Sequence, residues 1–397
     1  MRRSLGAGYA PSVTSRVLQH LQDLVAIPSV NPMGRSDLPA AITGERRCAE
    51  HVRATLARLH VDSVLVGSGD RLSVIGEVHA RDPIDTVLIA SHLDTVPVDG
   101  MEGDPFDPVV RNDKLYGRGS CDTKAGMAAL LAALERVLAH GRLRRNVIIV
   151  GEADEEMTSA GVTDVLAHLG QRRADWVLAT EPTGMRLVTA HKGRASIAFE
   201  ATGRACHSSD PDQGDNAILT LCRAALALEA LHGELRGRRH ALLGPGTLSV
   251  SVIGGGQAPN VVPHRATLIA DRRLVPGEDE ASVRAELARA LAAAGVSGAV
   301  RITELRMEKD ALSTDDAHAS VRACRQSLDA CALASSPTTA AFGTDAGPLA
   351  AAGMPGVVLG PGDITQAHTA DEHVALAQVD AMQRFFEHLL AGGALPT

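Results

Sequence analysis

Apolar positions along this chain of 397 residues recur with two alternating periods. Val17, Leu18, Leu21 and Leu24 fall at helical spacing and predict an amphipathic helix over Val13–Val25. Thr86–Ala90 is an apolar run too short for a typical helix and bounded by turn residues, which predicts a strand buried on both faces. Asn146–Val150, Trp176–Ala179 and Gly356–Gly360 repeat that pattern, and Ala125–Ala139 is an Ala/Leu-rich helix between the first two strands. Strands alternating with helices predict an α/β fold with a mostly parallel central sheet flanked by helices.

From about Gly193 the period changes. Ala195–Glu200, Leu248–Val252 and Ala266–Arg272 alternate apolar and polar as one-sided strands do, and a long helix is expected over Ala217–Leu231. A capped helix follows from Asp279 to Ala294, with Gly295 as a natural stop. This α+β pattern over 193–312 reads as a domain inserted between two parts of the first, 1–192 and 313–397, and a helix near Ala317–Leu328 returns to the first pattern. Neither an internal repeat nor a low-complexity linker is evident.

The length itself exceeds one ordinary core and agrees with two domains. Hydrophobic residues make up 45% and charged residues 22%, as in an average globular chain; with one Trp, two Tyr and five Phe, the core must be built from Ala, Leu and Val. The same scarcity argues against base-stacking platforms, and a net charge of −8 against a phosphate-backbone partner, so no nucleic acid is expected. Arg142-Leu143-Arg144-Arg145 is a short solvated loop. Six cysteines (Cys48, Cys121, Cys206, Cys222, Cys324, Cys331) without CxxC spacing read as reduced thiols of a cytoplasmic protein. Met1–Gly8 carries basic residues with no continuous apolar segment after them, and no run approaches the ~18 apolar residues of a membrane span, so neither a secretory leader nor a membrane partner is expected.

Chemistry concentrates where strands end. His92 and Asp94 follow Thr86–Ala90, Asp154-Glu155-Glu156 follow Asn146–Val150, Glu181 follows Trp176–Ala179, and His368 lies past Gly356–Gly360; Asp122 sits in the turn Gly117-Arg118-Gly119-Ser120-Cys121-Asp122. Sites of open α/β sheets form beyond the carboxyl ends of the strands. Singly, each residue has a bland reading. Asp122 could bond its own turn, Glu181-Pro182 could be a turn, the acid cluster could start a helix, and His368 could bond Asp371 or Glu372. Converging on one sheet edge, they supply the imidazole and carboxylate set of a two-metal hydrolase. Cys121 reads as a buried thiol, and Gly254-Gly255-Gly256 lacks the spacing of a nucleotide loop.

These residues are the basis on which the sequence, from about Leu24 to Glu387, resembles the co-catalytic metallo-amidohydrolase family that contains acetylornithine deacetylase, succinyl-diaminopimelate desuccinylase, carboxypeptidase G and aminoacylase. The closer resemblance, to its acetylornithine-deacetylase branch, rests on Ala190-His191-Lys192-Gly193, on His207-Ser208-Ser209-Asp210-Pro211 with Gly214 and Asn216, and on Leu359-Gly360-Pro361-Gly362 through Gln366-Ala367-His368. Phe342-Gly343-Thr344-Asp345 and Asp363–Thr365 depart from it.

The resemblance implies a catalytic domain carrying an inserted lid and dimerisation domain. It implies two divalent ions, with zinc favoured by a donor set of imidazole and carboxylate, and cobalt or manganese as the other ions that set accepts. Asp122 would bridge them, with His92 and Glu181 completing one site and Glu156 and His368 the other. Glu155 would be the general base, and Asp94 the carboxylate that orients His92, a role that the chemistry of a ligating imidazole also assigns it. His207 would stabilise the oxyanion in a neighbouring subunit of a homodimer, and Arg273 and Asn260 would contact the substrate carboxylate. The expected reaction is hydrolysis of the amide of a small N-acyl-L-amino acid, N-acetyl-L-ornithine first, which belongs to arginine biosynthesis. A desuccinylase, a general aminoacylase and a dipeptidase or carboxypeptidase are the alternatives within the family, and a non-catalytic metabolite-binding protein the one outside it.

Overall fold

The computed structural model describes residues 15–393, so Met1–Gly8 and the first two residues of the expected Val13–Val25 helix lie outside it. The chain forms two compact units. One comprises the described residues up to Leu187 with Arg322–Ser336 and those from Val358 onward; the other comprises Val188–Val321 and Pro337–Val357.

The first unit is organised around a sheet whose middle strands pair in parallel. Thr86–His92 lies between Asn146–Glu152 and Trp176–Ala179, parallel to both. Val87, Leu88 and Ile89 have no exposed surface, as a strand covered on both faces requires. An antiparallel hairpin, Asp62–Ser68 with Arg71–Val78, extends the sheet on the Asn146–Glu152 side, which makes it mixed. Register sets the geometry of the sheet edge. Ala90 pairs with Val150 and also with Ala179, and His92 pairs with Glu152, so two strands end together and Trp176–Ala179 two residues earlier, all at the same sheet edge.

Helix Lys124–Ala139 is buried almost all round and packs with Leu376–Leu390 and Arg16–Val25. Its alanines permit that closeness, and Gly126 permits more. A Cβ at Gly126 would lie 2.4 Å from Thr180 Cβ, so the helix start is pressed against the turn that delivers Glu181.

The second unit contains a four-stranded antiparallel sheet in the order Thr247–Gly255, Arg265–Leu274, Gly193–Thr202, Val300–Lys309. Ala195, Ile197, Phe199 and Ala201 point to one face, where they meet helices Ala217–Gly237 and Glu280–Ala293 through Leu221, Leu228, Val283 and Leu287. The second helix starts on a capping box between Asp279 and Ser282, and Gly295 takes the left-handed conformation (φ +67°) just past its end. Among the described residues no helix is long and apolar enough to cross a membrane.

Candidate metal centre

Three strand ends deliver side chains to the centre. His92 is the last residue of its strand, Glu181 stands two beyond Ala179, and the turn after Glu152 carries Asp154, Glu155 and Glu156. Leu359 N donates to Ala179 O at 3.0 Å and Met185 N to Gly360 O at 3.0 Å, which ties the segment leading to His368 against the Glu181 turn. Asp154 and His368 both adopt left-handed backbone (φ +61° each), a conformation non-glycine residues hold only when the surroundings enforce it.

Asp122 is the hub. Its Oδ1 lies 3.0 Å from His92 Nε2 and its Oδ2 3.3 Å from His368 Nε2, so the two carboxylate oxygens face two different imidazoles. Glu181 Oε2 is 3.9 Å from His92 Nε2, on the first side. On the second, His368 Nε2 lies 3.2 and 3.1 Å from the two oxygens of Glu156. One ligand atom from each of His92, Asp122 and Glu156 fits within a 4.8 Å span. The five side chains expected as ligands are therefore brought together in one unit, although they come from separated segments of the chain.

A second set of residues fixes this group. Asp94 is fully buried; its Oδ1 accepts from Glu155 N and its Oδ2 from Glu156 N, each at 3.1 Å, and Oδ1 also lies 3.4 Å from His92 Nδ1. It thus faces the imidazole of His92 and also holds the backbone that carries the acid pair. The His92 Nδ1 position is completed by Asp94 O at 3.0 Å. The turn bearing Asp122 is held by Glu372, whose Oε1 accepts from Cys121 N and Asp122 N at 2.9 and 3.0 Å and whose Oε2 accepts from Gly119 N and Arg118 Nη1 at 3.1 and 2.6 Å. Asn31 donates to Asp94 and Asp154. Sequence reasoning named Glu372 only as a neighbour of His368 and did not name Asn31; both act over long chain separations that no local pattern records.

The electrostatics of the group call for positive charge. Burial opposes a charged His92, yet Asp122 and Asp94 outweigh it and hold its pKa well above the ordinary value. Hydrogen bonds to Asp122 and Glu156 push His368 up to about 10. Burial, with Asp122 nearby, raises Glu156 to about 7. Asp122 itself is held well below the usual carboxylate range, its burial being overcome by the two imidazoles. Both imidazoles therefore hold their protons tightly among these carboxylates. The donor set fits divalent metal ions, which would take those proton positions. The Cys121 thiol, by contrast, is pushed far up by burial and the nearby Glu372 and Asp122 carboxylates, which makes it a poor nucleophile.

His207, Asn260 and Arg273 lie in the second unit. His207 is in a turn where its Nδ1 meets Ser209 Oγ at 2.7 Å, and Ser208 N donates to Asn260 O at 3.0 Å, so the first two residues are neighbours. Arg273, on a sheet strand, donates to Asp271 Oδ1 at 2.9 Å.

The sequence profile of peptidase family M20/M25/M40 matches residues 88–392, and the chain belongs to that family as a metallo-amidohydrolase. Among its relatives, the acetylornithine deacetylase of Yersinia pseudotuberculosis is 33% identical over 329 residues, covering 80% of this chain and 82% of that protein. That of Klebsiella pneumoniae is 34% identical over 295 residues, covering 72% and 75%. In fold, the chain is similar to an M20 family metallo-carboxypeptidase from Sulfolobus solfataricus (TM-score 0.78, 21% identity, 95% of this chain and 99% of that one). The aminopeptidase PepT from Bacillus cereus gives a TM-score of 0.76 at 19% identity, with 95% and 98% covered.

Proposed function

We propose that this protein hydrolyses the amide bond of N-acyl-L-amino acids, with N-acetyl-L-ornithine as the leading substrate, using two divalent ions, zinc by preference. The observation that carries the two-ion reading is Asp122, whose two oxygens face His92 on one side and His368 on the other. His92, Asp122 and Glu181 would hold one ion, and Asp122, Glu156 and His368 the other. When bound, such a pair supplies Lewis acidity toward water and the scissile carbonyl. The substrate assignment is supported by similarity to acetylornithine deacetylases across four-fifths of the chain.

Glu155 acts as the general base, taking a proton from the attacking water and returning it to the departing nitrogen. Its backbone N–H is fixed by Asp94, so the carboxyl starts from a defined point. His207 donates to the developing oxyanion, and Asn260 and Arg273 hold the substrate carboxylate, Arg273 through its guanidinium. In this reading the second unit's sandwich, residues 193–312, is an inserted lid and dimerisation domain, with 1–192 and 313–397 as the catalytic domain. The dimer is supported by the edge strand Thr247–Gly255, which leaves Val252 56% and Ile253 50% exposed beside unpaired strand backbone. The protein works in the cytoplasm, as its reduced cysteines suggest.

The test is amine release from N-acetyl-ornithine, N-succinyl-diaminopimelate, N-acetyl-methionine and a simple dipeptide, on metal-stripped protein with and without zinc or cobalt. Metal-restored cleavage, fastest with N-acetyl-ornithine, is expected. Preference for another member would move the substrate assignment, and no cleavage of any with two ions bound would overturn it and point to other acyl substrates or a non-catalytic role.

A further inference from the structure

Asp94 and Asp154 are both buried and both carboxylates, and they lie close together beneath the segment that carries Glu155 and Glu156. Two like charges at that separation repel one another unless something between them donates to both. One atom does. Asn31 Nδ2 lies 2.9 Å from Asp94 Oδ2 and 2.9 Å from Asp154 Oδ1. The amide carries two hydrogens on that nitrogen, one for each carboxylate, and adds no charge of its own.

Asn31 is itself held on every side. It is 2% exposed, its Oδ1 accepts from Met33 N at 3.0 Å, and its backbone N donates to Thr95 O at 2.8 Å, one residue beyond Asp94. The rest of Asp154 is taken up by its own turn and by Arg71, whose Nη1 lies 4.0 Å from Oδ2. Its Oδ2 accepts from Thr158 Oγ1, and its backbone carbonyl accepts from Ser159 N at 2.7 Å. Asn31 is therefore the direct side-chain link between the carboxylate that faces His92 and the left-handed residue that aims Glu155 and Glu156. A neighbouring acid, Glu45, is pushed up to about 8 by burial and by Asp94. The pocket thus accepts little further negative charge, and a neutral double donor suits it.

We infer that Asn31 is a positioning residue for the acid pair: it holds Asp94 and Asp154 side by side and so fixes Glu156 for its ion and Glu155 for its water. This rests on the function proposed above. It touches neither substrate nor ion, and its removal should act on metal affinity and on turnover while leaving KM nearly unchanged. Partners of this kind typically alter metal affinity or activity by about 10- to 100-fold.

The experiment compares Asn31→Leu, which keeps the size and loses the donors, with wild type, Asp154→Asn and the double variant Asn31→Leu/Asp154→Asn. Zinc affinity is measured by chelator competition, kcat and KM on N-acetyl-ornithine, and Tm on the metal-free proteins. Asn31→Leu should weaken the second zinc equivalent and lower kcat, each by roughly 10- to 100-fold, with KM within about twofold. In the double variant one carboxylate charge is gone, so its losses should fall short of the product of the single losses. Wild-type affinity and kcat in Asn31→Leu would overturn the proposal, as would purely multiplicative losses that track a fall in metal-free Tm. If Asn31→Leu does not fold, the double variant should, since the repulsion is relieved; failure of both would make Asn31 an ordinary structural residue and overturn the proposal. Absence of zinc binding by the wild type would instead defeat the metal-centre reading itself.

Discussion

Asp94 accepts from Glu155 N and Glu156 N while facing His92 Nδ1, so one carboxylate aligns an imidazole and the backbone of the acid pair. With the backbone so held, truncating the Glu155 side chain should remove the proposed proton transfer while the turn keeps its place. Glu155→Ala is expected to keep both ions, read by metal analysis, and to lose kcat by about 10²- to 10⁴-fold, the usual contribution of a general base. Near-normal turnover would remove Glu155 from the mechanism. The residues that the sequence made legible are those at strand ends, because a short apolar run announces the strand and the next polar residues then fall on the sheet edge. His92, Glu156 and Glu181 stand out in this way. Glu372 and Asn31 do not, for they hold the site through backbone N–H groups and carboxylates 250 and 63 residues away, and side chains of their kind in a loop carry no periodic signal.

At the scale of elements, the buried strands Thr86–His92 and Trp176–Ala179 and the helix Lys124–Ala139 follow from apolar runs and length. The hairpin Asp62–Ser68 with Arg71–Val78 did not announce itself, since its first strand is largely exposed and lacks a clean alternation. Helix Arg46–Arg58 buries Cys48, Val52 and Leu56 at four-residue spacing, a signal diluted by its many arginines. Helix Lys124–Ala139 offers a direct test of packing against propensity. Gly126→Ala gains about 1 kcal/mol of helix propensity but overpacks Thr180 at a cost of about 1–3 kcal/mol. A lower Tm is expected, and a higher Tm would mean that the helix start and the Glu181 turn are not in tight contact.

Strand Val188–His191 carries another consequence. His191 is fully buried, with Nδ1 3.0 Å from Lys192 O and Nε2 3.0 Å from Thr344 Oγ1, and burial lowers its pKa to about 4. The folded value lies below the unfolded one, so the stabilisation is complete above about pH 6.5 and is lost as pH falls toward 4, by roughly 3 kcal/mol at most. Urea unfolding of the His191→Gln variant should show a weaker pH dependence than wild type across that window. Equal slopes would contradict the assignment.

For the whole molecule, the α/β layer with an α+β sandwich was legible because the period of apolar residues switches near Gly193, where the four-stranded sheet begins. The second unit carries His207, Asn260 and Arg273 and the first carries the metal centre, so the proposed reaction draws on both. If His207 serves the site of a neighbouring subunit, mixing inactive His207→Ala with inactive Glu155→Ala should restore part of the activity once subunits exchange. No recovery after demonstrated exchange would contradict action in trans.

If Asp122 joins two metal sites, as proposed, titration of metal-stripped protein will show it. Zinc or cobalt is added in steps while bound metal and N-acetyl-ornithine cleavage are followed together. Two ions should bind per chain, with activity absent without metal and complete only as the second site fills. Full activity in a chelator, or full activity with a single ion bound, would contradict it.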